Sequence, residues 1–386
     1  MRRRSVLLAL ATLGIVVAGA IGWALYQGSA GGLESRKGRL QQVVPVAAGS
    51  DDVSDLFDLT LGSSTGSRVR AMVRVPRGGT PPYPGVVLVG GMELGRRVAQ
   101  LKGLDSIARY AIIVSPDYPI QVDARTLEGL SLLAAGPRLR SAAFDLVAQV
   151  GLQVDYLVSR RDVARDRIFL VGSSFGAPAV IIAGAVDRRP AAVIALYGGG
   201  EIGSMVSHVL RLGRDTVSPW QSWLAGHGLA LLLMPLEPTR YAPRIAPRPV
   251  LMVNGARDSV IPRANVDALY AAARQPKEIL WMRSEHVQPD ETELIGAVSG
   301  WIAAWLAKRG LLPPEAAFGV TDPVGYRFRN LAMLRAMPSG SRPCFVYRPF
   351  ASPDSPKVAT PSRFTGVGMT SPSISATAPP RPPWIE

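Results

Sequence analysis

The chain has a single cysteine, Cys344, and only three histidines among 386 residues. One thiol excludes an intrachain disulfide, and no cluster of ligand-type side chains accompanies it, so nothing points to a metal. The glycine-rich stretches carry no following Lys-Ser/Thr and fit no dinucleotide fingerprint, which argues against bound phosphate or nucleotide and leaves no cofactor expected. No self-similarity at solenoid period is present. Acidic residues are scarce too: 29 against 43 basic ones, for a formal net charge of +14. The excess is spread as arginine through helices and tail, with no aromatic interleaving and no nucleic-acid motif. It reads as solubility and affinity for anionic lipid headgroups, with no nucleic-acid partner and no obligate protein partner inferred.

Apolar residues are what the chain has in quantity, at 47% of the total, enough to fill one core over the middle of the chain. Uncharged, β-rich runs at Val86–Val89, Ala111–Ser115, Ile168–Val171, Ala192–Tyr197, Val250–Val253 and Ile279–Met282 predict strands. Helical patterns at Val98–Arg109, Leu139–Arg160, Ala177–Val186, Arg263–Arg274 and Thr292–Ala307 alternate with them. This βαβα order with uncharged strands predicts an α/β fold: a mostly parallel sheet buried on both faces by helices. Leu56–Leu61 and Val69–Val75 precede it as an alternating pair, a hairpin.

The strand Phe169–Val171 breaks on Gly172-Ser173-Ser174-Phe175-Gly176 and runs into a small-residue helix. A Gly-x-Ser-x-Gly turn between strand and helix lifts a serine hydroxyl clear of the sheet, and Gly172 and Gly176 allow the close approach. The pentapeptide alone is weak evidence: Gly62-Ser63-Ser64-Thr65-Gly66 matches it but lies inside the hairpin, where it reads as a loop. Ser174 is therefore the candidate nucleophile. A serine needs a base, and the base needs an acid. His208 and His227 fall in an irregular apolar region, whereas His286 follows the strand-like Glu278–Met282 and is the candidate base. Asp258, in the loop after Pro249–Val253, is the candidate acid, with Glu201 after Ala192–Tyr197 as the alternative. Gly91, Ser174, Asp258 and His286 each follow a strand, beyond the carboxyl ends of the strands where ligands bind in such folds.

A tetrahedral oxyanion needs two N–H donors. The residue after the nucleophile, Phe175, supplies one; Gly91 or Met92, in the glycine loop after Val86–Val89, is expected to supply the other. Taken singly, each of these features has a structural reading: a glycine turn, a capping histidine, a turn-forming aspartate. Their conjunction in the order Ser, Asp, His is what favours chemistry.

From about Asp55 to Arg309 the chain resembles the α/β-hydrolase superfamily, and within it the dienelactone-hydrolase-like and acetyl-esterase-like branch. The resemblance lies in Gly172–Gly176, in the run Tyr241–Leu251, and in Asn254-Gly255 followed by Asp258–Pro262. The loop at Val89-Gly90-Gly91 departs from the His-Gly of many relatives, and Ser174 stands where dienelactone hydrolases carry cysteine. The resemblance implies ester rather than dienelactone hydrolysis. The expected function is a serine carboxylic-ester hydrolase acting on small-molecule acyl esters; the alternatives are acyl transfer, thioester or peptide hydrolysis, or a non-catalytic membrane-tethered scaffold.

Flanking and inserted segments complete the organisation. Met1-Arg2-Arg3-Arg4 precedes the apolar run Val6–Tyr26, so residues 1–27 read as a membrane signal anchor, or a signal peptide cleaved near Ala18-Gly19-Ala20. Either places the catalytic domain outside the cytoplasm, anchored or secreted. Residues 28–54 read as a tether, 55–311 as the hydrolase domain, and 312–386, rich in Pro and Ser, as a disordered tail. Two insertions interrupt the domain, Ile120–Pro137 and a lid at about 201–238 that carries Trp220 and Trp223.

Overall fold

The computed structural model describes residues 2–91, 94–119, 130–212 and 217–317. Nine strands form one sheet: β1 (Leu40–Ser50), β2 (Ser54–Ser63), β3 (Arg68–Pro76), β4 (Tyr83–Val89), β5 (Ile112–Pro116), β6 (Val163–Ser173), β7 (Ala192–Leu196), β8 (Val250–Gly255) and β9 (Lys277–Met282), in spatial order β1-β2-β3-β5-β4-β6-β7-β8-β9. The first three and the β3–β5 pair are antiparallel, and every pairing from β5 through β4, β6, β7 and β8 to β9 is parallel. The helices are α1 (Arg2–Gln27), α2 (Ala30–Lys37), α3 (Asp105–Ala108), α4 (Leu130–Ser159), α5 (Gly176–Val186), α6 (Ile202–Val209), α7 (Pro219–Leu233), α8 (Pro238–Tyr241), α9 (Arg263–Ala272) and α10 (Thr292–Ala307).

Alternate residues of the parallel strands feed two cores. Val87, Leu170, Val193 and Met252 pack with Phe144 of α4, Val180 of α5 and Leu269 of α9. Val86, Phe169, Ile194 and Leu251 pack on the other face with Ile107 of α3 and Val298, Ile302 and Trp305 of α10. β5, β7 and β8 are buried at every residue, and so is β6 from Ile168 to Gly172, which is why these runs carry no charge.

Four expectations need correction. Residues 28–54 are not a tether: α2 packs on α4 through the buried Leu33, and β1 is the edge strand of the sheet. β1 is exposed along most of its length, so no apolar alternation marks it, and Pro45 is tolerated because one edge is unpaired. Val98–Arg109 is not one helix but a 3₁₀ turn, Gly95–Gln100, followed by α3. The break falls where Gly103 lies against Gly296 of α10 and its carbonyl accepts the Ser299 hydroxyl. Residues 130–137 of the first insertion are the opening turns of α4, with Pro137 inside the helix; 120–129 lie outside the described residues. Leu312 and Ala316 are buried in the second core, so packed structure runs past residue 311; the expected tail from 318 onward lies outside the described residues.

The lid insertion, 201–238, folds as α6 and α7 packed on one another, followed by a 3₁₀ turn, Met234–Leu236. The apolar run at the N-terminus falls in α1; among the described residues no helix is long and apolar enough to cross a membrane.

Candidate active site

β6 ends at the centre of the sheet and turns at once into α5, which forces Ser174 into the left-handed region at φ 52°. For a serine this conformation costs about 1–3 kcal/mol and persists only where the surroundings fix it. They do: the Ser174 N–H donates to Leu196 O on β7 (2.8 Å), and the Ser174 carbonyl accepts from Ala177 N (3.0 Å). A Cβ at Gly172 would meet the Gly176 carbonyl, and one at Gly176 would meet Val89 and Gly90 backbone, so both glycines are required by contact.

His286 enters from the loop after β9. Its Nε2 lies 2.9 Å from Ser174 Oγ and its Nδ1 lies 2.8 Å from Asp258 Oδ2. Asp258 is held in turn: its Oδ1 accepts from the N–H groups of Val260 (2.8 Å) and Ile261 (2.9 Å). The carboxylate is 3% exposed and the imidazole 11%, so the pair is nearly dry while its far end stays open to Ser174. The two loops are stitched together by Ala256 N–H to Met282 O (2.7 Å) and Arg257 N–H to Ser284 O (3.1 Å). A serine hydroxyl facing a neutral ring nitrogen, with a carboxylate on the other nitrogen, can pass its proton to the ring as it attacks a carbonyl.

The other sequence candidates fall as follows. Glu201 is exposed at the start of α6, where its N–H and that of Ile202 donate to the Glu237 carboxylate (2.9 Å each); Asp258, not Glu201, faces His286 Nδ1. Phe175 sits at the N-terminus of α5, whose first amides lack helical partners and whose dipole favours negative charge. Gly91 lies in the loop after β4, while Met92 lies outside the described residues. His208 Nε2 contacts Ser259 O (2.8 Å), and His227 stacks on Trp223, so neither faces Ser174. Ser64 is tied to Arg39 at the β2–β3 turn, its N–H donating to Arg39 O (2.8 Å) and its Oγ accepting from Arg39 N (2.9 Å).

Two neighbours escaped the sequence reading, and a third, Glu285, lies next to His286 in the sequence. Tyr118 follows β5; its hydroxyl donates to the Gly90 carbonyl and its ring meets Phe175 edge-on at 5.5 Å. It thus braces both segments expected to carry oxyanion donors, and burial raises its phenol well above the ordinary range, keeping it a donor. Tyr197, at φ 48° after β7, sets its ring edge against His286 (5.7 Å) and shares a hydrogen bond with Ser284 Oγ (2.8 Å). Each follows a strand, the one signal that could have found it. Glu285 adjoins the base with Oε2 buried and unpartnered; burial, reinforced by Asp258 and Glu291 against the pull of Arg257, raises its carboxyl.

A cleft of about 550 Å³ where α2 meets β1 is lined by none of these residues. Its Lys37 and Arg189 are already paired with Asp155, at 2.8 and 2.6 Å. Among the described residues no group of three or more His, Cys, Asp or Glu could hold a metal ion.

Against solved structures, the chain is similar to acetyl xylan esterase 1 from Thermoanaerobacterium sp., at 17% identity and a TM-score of 0.51, over 68% of this chain and 89% of that one. An acetyl xylan esterase from Paenibacillus sp. is similar at 17% identity and a TM-score of 0.49, over 70% and 92%. No protein-family model and no curated protein matches the chain. At such identity the first likeness bears on how the chain is folded.

Proposed function

We propose, from the α/β-hydrolase fold that this chain has, that it is a serine carboxylic-ester hydrolase working through an acyl-enzyme. The observation that carries the reading is the continuous hydrogen-bonded chain from Asp258 through His286 to a strained Ser174. Ser174 Oγ attacks the ester carbonyl as its proton moves to His286 Nε2. Asp258 orients the ring through Nδ1 and stabilises its positive charge. The N–H of Phe175 and one from the Gly91–Met92 loop receive the oxyanion, in a setting where fixed dipoles act strongly. His286 then gives its proton to the leaving alcohol, and a water deprotonated by the same ring releases the acid.

The test uses the two serines in matching pentapeptides. A fluorophosphonate probe should label the parent and Ser64→Ala but not Ser174→Ala, and only Ser174→Ala should lose turnover of p-nitrophenyl acetate. Equal losses in the two variants would refute the assignment.

The proposed location is outside the cytoplasm, anchored by α1. It rests on the sequence of the N-terminus, Arg2–Arg4 followed by the uncharged run Val6–Tyr26. Vesicle flotation of the full chain, with protease digestion from one side, checks it.

A further inference from the structure

α7 is built the wrong way round for a surface helix. Ser218 and Gln221 form a capping box at its start and Pro219 occupies its first turn, so the helix is well specified. Its inner side is small: Gly226 lies against Gly203 and Ser207 of α6, and Ala230 beside Gly203. Its outer side is large and apolar. Trp220, Trp223, Leu224 and Leu231 recur at helical spacing on one face and are 67, 57, 58 and 76% exposed. No Asp, Glu, Lys or Arg occurs between Pro219 and Leu233. Single exposed apolar side chains need no explanation, but a contiguous face with two tryptophans marks a surface that is covered in use.

What covers it is indicated by where α1 ends. The Gln27 side chain accepts from Arg140 of α4 (2.7 Å). The Tyr241 hydroxyl reaches the carbonyl of Gly28 and that of Pro235 (2.6 Å), two residues past the end of α7. Gly28 packs directly on Pro235, and Leu232 of α7 touches Gly136, one turn before Arg140. The apolar run and the apolar face are therefore fixed to one corner of the molecule. At the end of α1, Trp23 and Tyr26 stack on each other and stay exposed, the residue types that favour the membrane–water boundary. The same hairpin reaches the active site, because His208 at the end of α6 holds Ser259, next to Asp258.

We propose that the outer face of α7 seats in the interfacial layer of the bilayer that α1 enters, so that Ser174 takes long-chain acyl esters dissolved in that membrane. The proposal rests on the reading of α1 as an anchor and of Ser174 as the nucleophile. An uncharged helix with tryptophans at the headgroup level and aliphatic side chains below them suits such a position, and the exposed Arg240, which donates to the Met234 carbonyl just past α7, favours anionic headgroups.

The experiment uses the full chain on vesicles of phosphatidylcholine and phosphatidylglycerol, with plain or brominated acyl chains. The fluorescence difference between parent and Trp220→Phe/Trp223→Phe reports the α7 tryptophans alone, and bromine should quench it. In Trp220→Asp/Trp223→Asp/Leu231→Asp, with its circular-dichroism melt checked against the parent, the rate on p-nitrophenyl palmitate in vesicles relative to that on p-nitrophenyl acetate should fall roughly tenfold or more. Flotation of that variant separates the two readings: it should persist if α1 is an anchor, and its loss would remove the anchor while leaving α7 in place. A parent that floats with unquenched α7 tryptophans and an unchanged rate ratio overturns the proposal. So does a cross-linked dimer that shields these tryptophans and is abolished by the variant, because a second copy would then be the cover.

Discussion

Asp258 and Glu285 are two carboxyls near one imidazole, with opposite environments. Asp258 accepts two backbone N–H bonds and the His286 ring, whereas Glu285 has a buried oxygen without a partner. Asp258→Asn should lower kcat for p-nitrophenyl acetate by roughly 10⁴, since the amide favours the wrong ring tautomer. Glu201→Gln should stay within about tenfold of the parent, because Glu201 faces solvent at the start of α6. A reversed ranking in folded variants would move the acid to the end of β7. The raised carboxyl of Glu285 has a different consequence. A carboxyl raised on folding favours the native state below its unfolded titration range, and that contribution is lost as pH climbs through the folded value. Glu285→Gln should therefore melt at or above the parent at pH 7–8, and this advantage should shrink as pH falls through the carboxylate range. A variant that melts lower at neutral pH would show that ionised Glu285 has a partner.

α2 and β1 show what a sequence reading of elements can miss. The parallel strands were legible because each contains an uncharged apolar run, Ile168–Val171 in β6 and Ile279–Met282 in β9 among them, and the Ser174 turn because glycines flank it between a strand and a helix. β1 has no such pattern: Val44 and Val46 point to solvent, and its place is set by pairing with β2. α2 carries two poor helix formers, Gly31 and Gly32, in its first turn and is held by contact instead. Ser29 caps it, Leu33 is 2% exposed in the core, and Lys37 bridges to Asp155 of α4. Leu33→Ala should cost about 2–5 kcal/mol in urea unfolding, as for any buried leucine. A tether would lose nothing. Tyr118 and Tyr197 were hidden for a similar reason, since their contacts with Phe175 and His286 exist only once β5, β6, β7 and β9 are assembled in one sheet.

At the scale of the whole molecule, the packed region continues to Ala317. Leu312 (1% exposed) and Ala316 (4%) seal the side of the sheet covered by α10. A chain ended after Leu311 should melt several degrees below one ended after Ala317, since a buried leucine is lost with the segment. Equal midpoints would mean that these contacts contribute nothing. Composition turned from apolar to Pro and Ser near this point, which located the change of character but not the packing of Leu312, because a single buried leucine leaves no periodic trace.

Ser174 and His286 are 112 positions apart along the chain, and Asp258 and His286 only 28. The proposed acid–base pair belongs to the last two strands, while the proposed nucleophile is made with the middle of the sheet. At about 5–20 residues per second, a ribosome finishes the nucleophile strand some 6–22 s before it adds the base. Through that interval a nascent chain holds a serine with nothing to take its proton. The proposed hydrolysis therefore begins only when β9 docks and its loop brings His286 to Ser174.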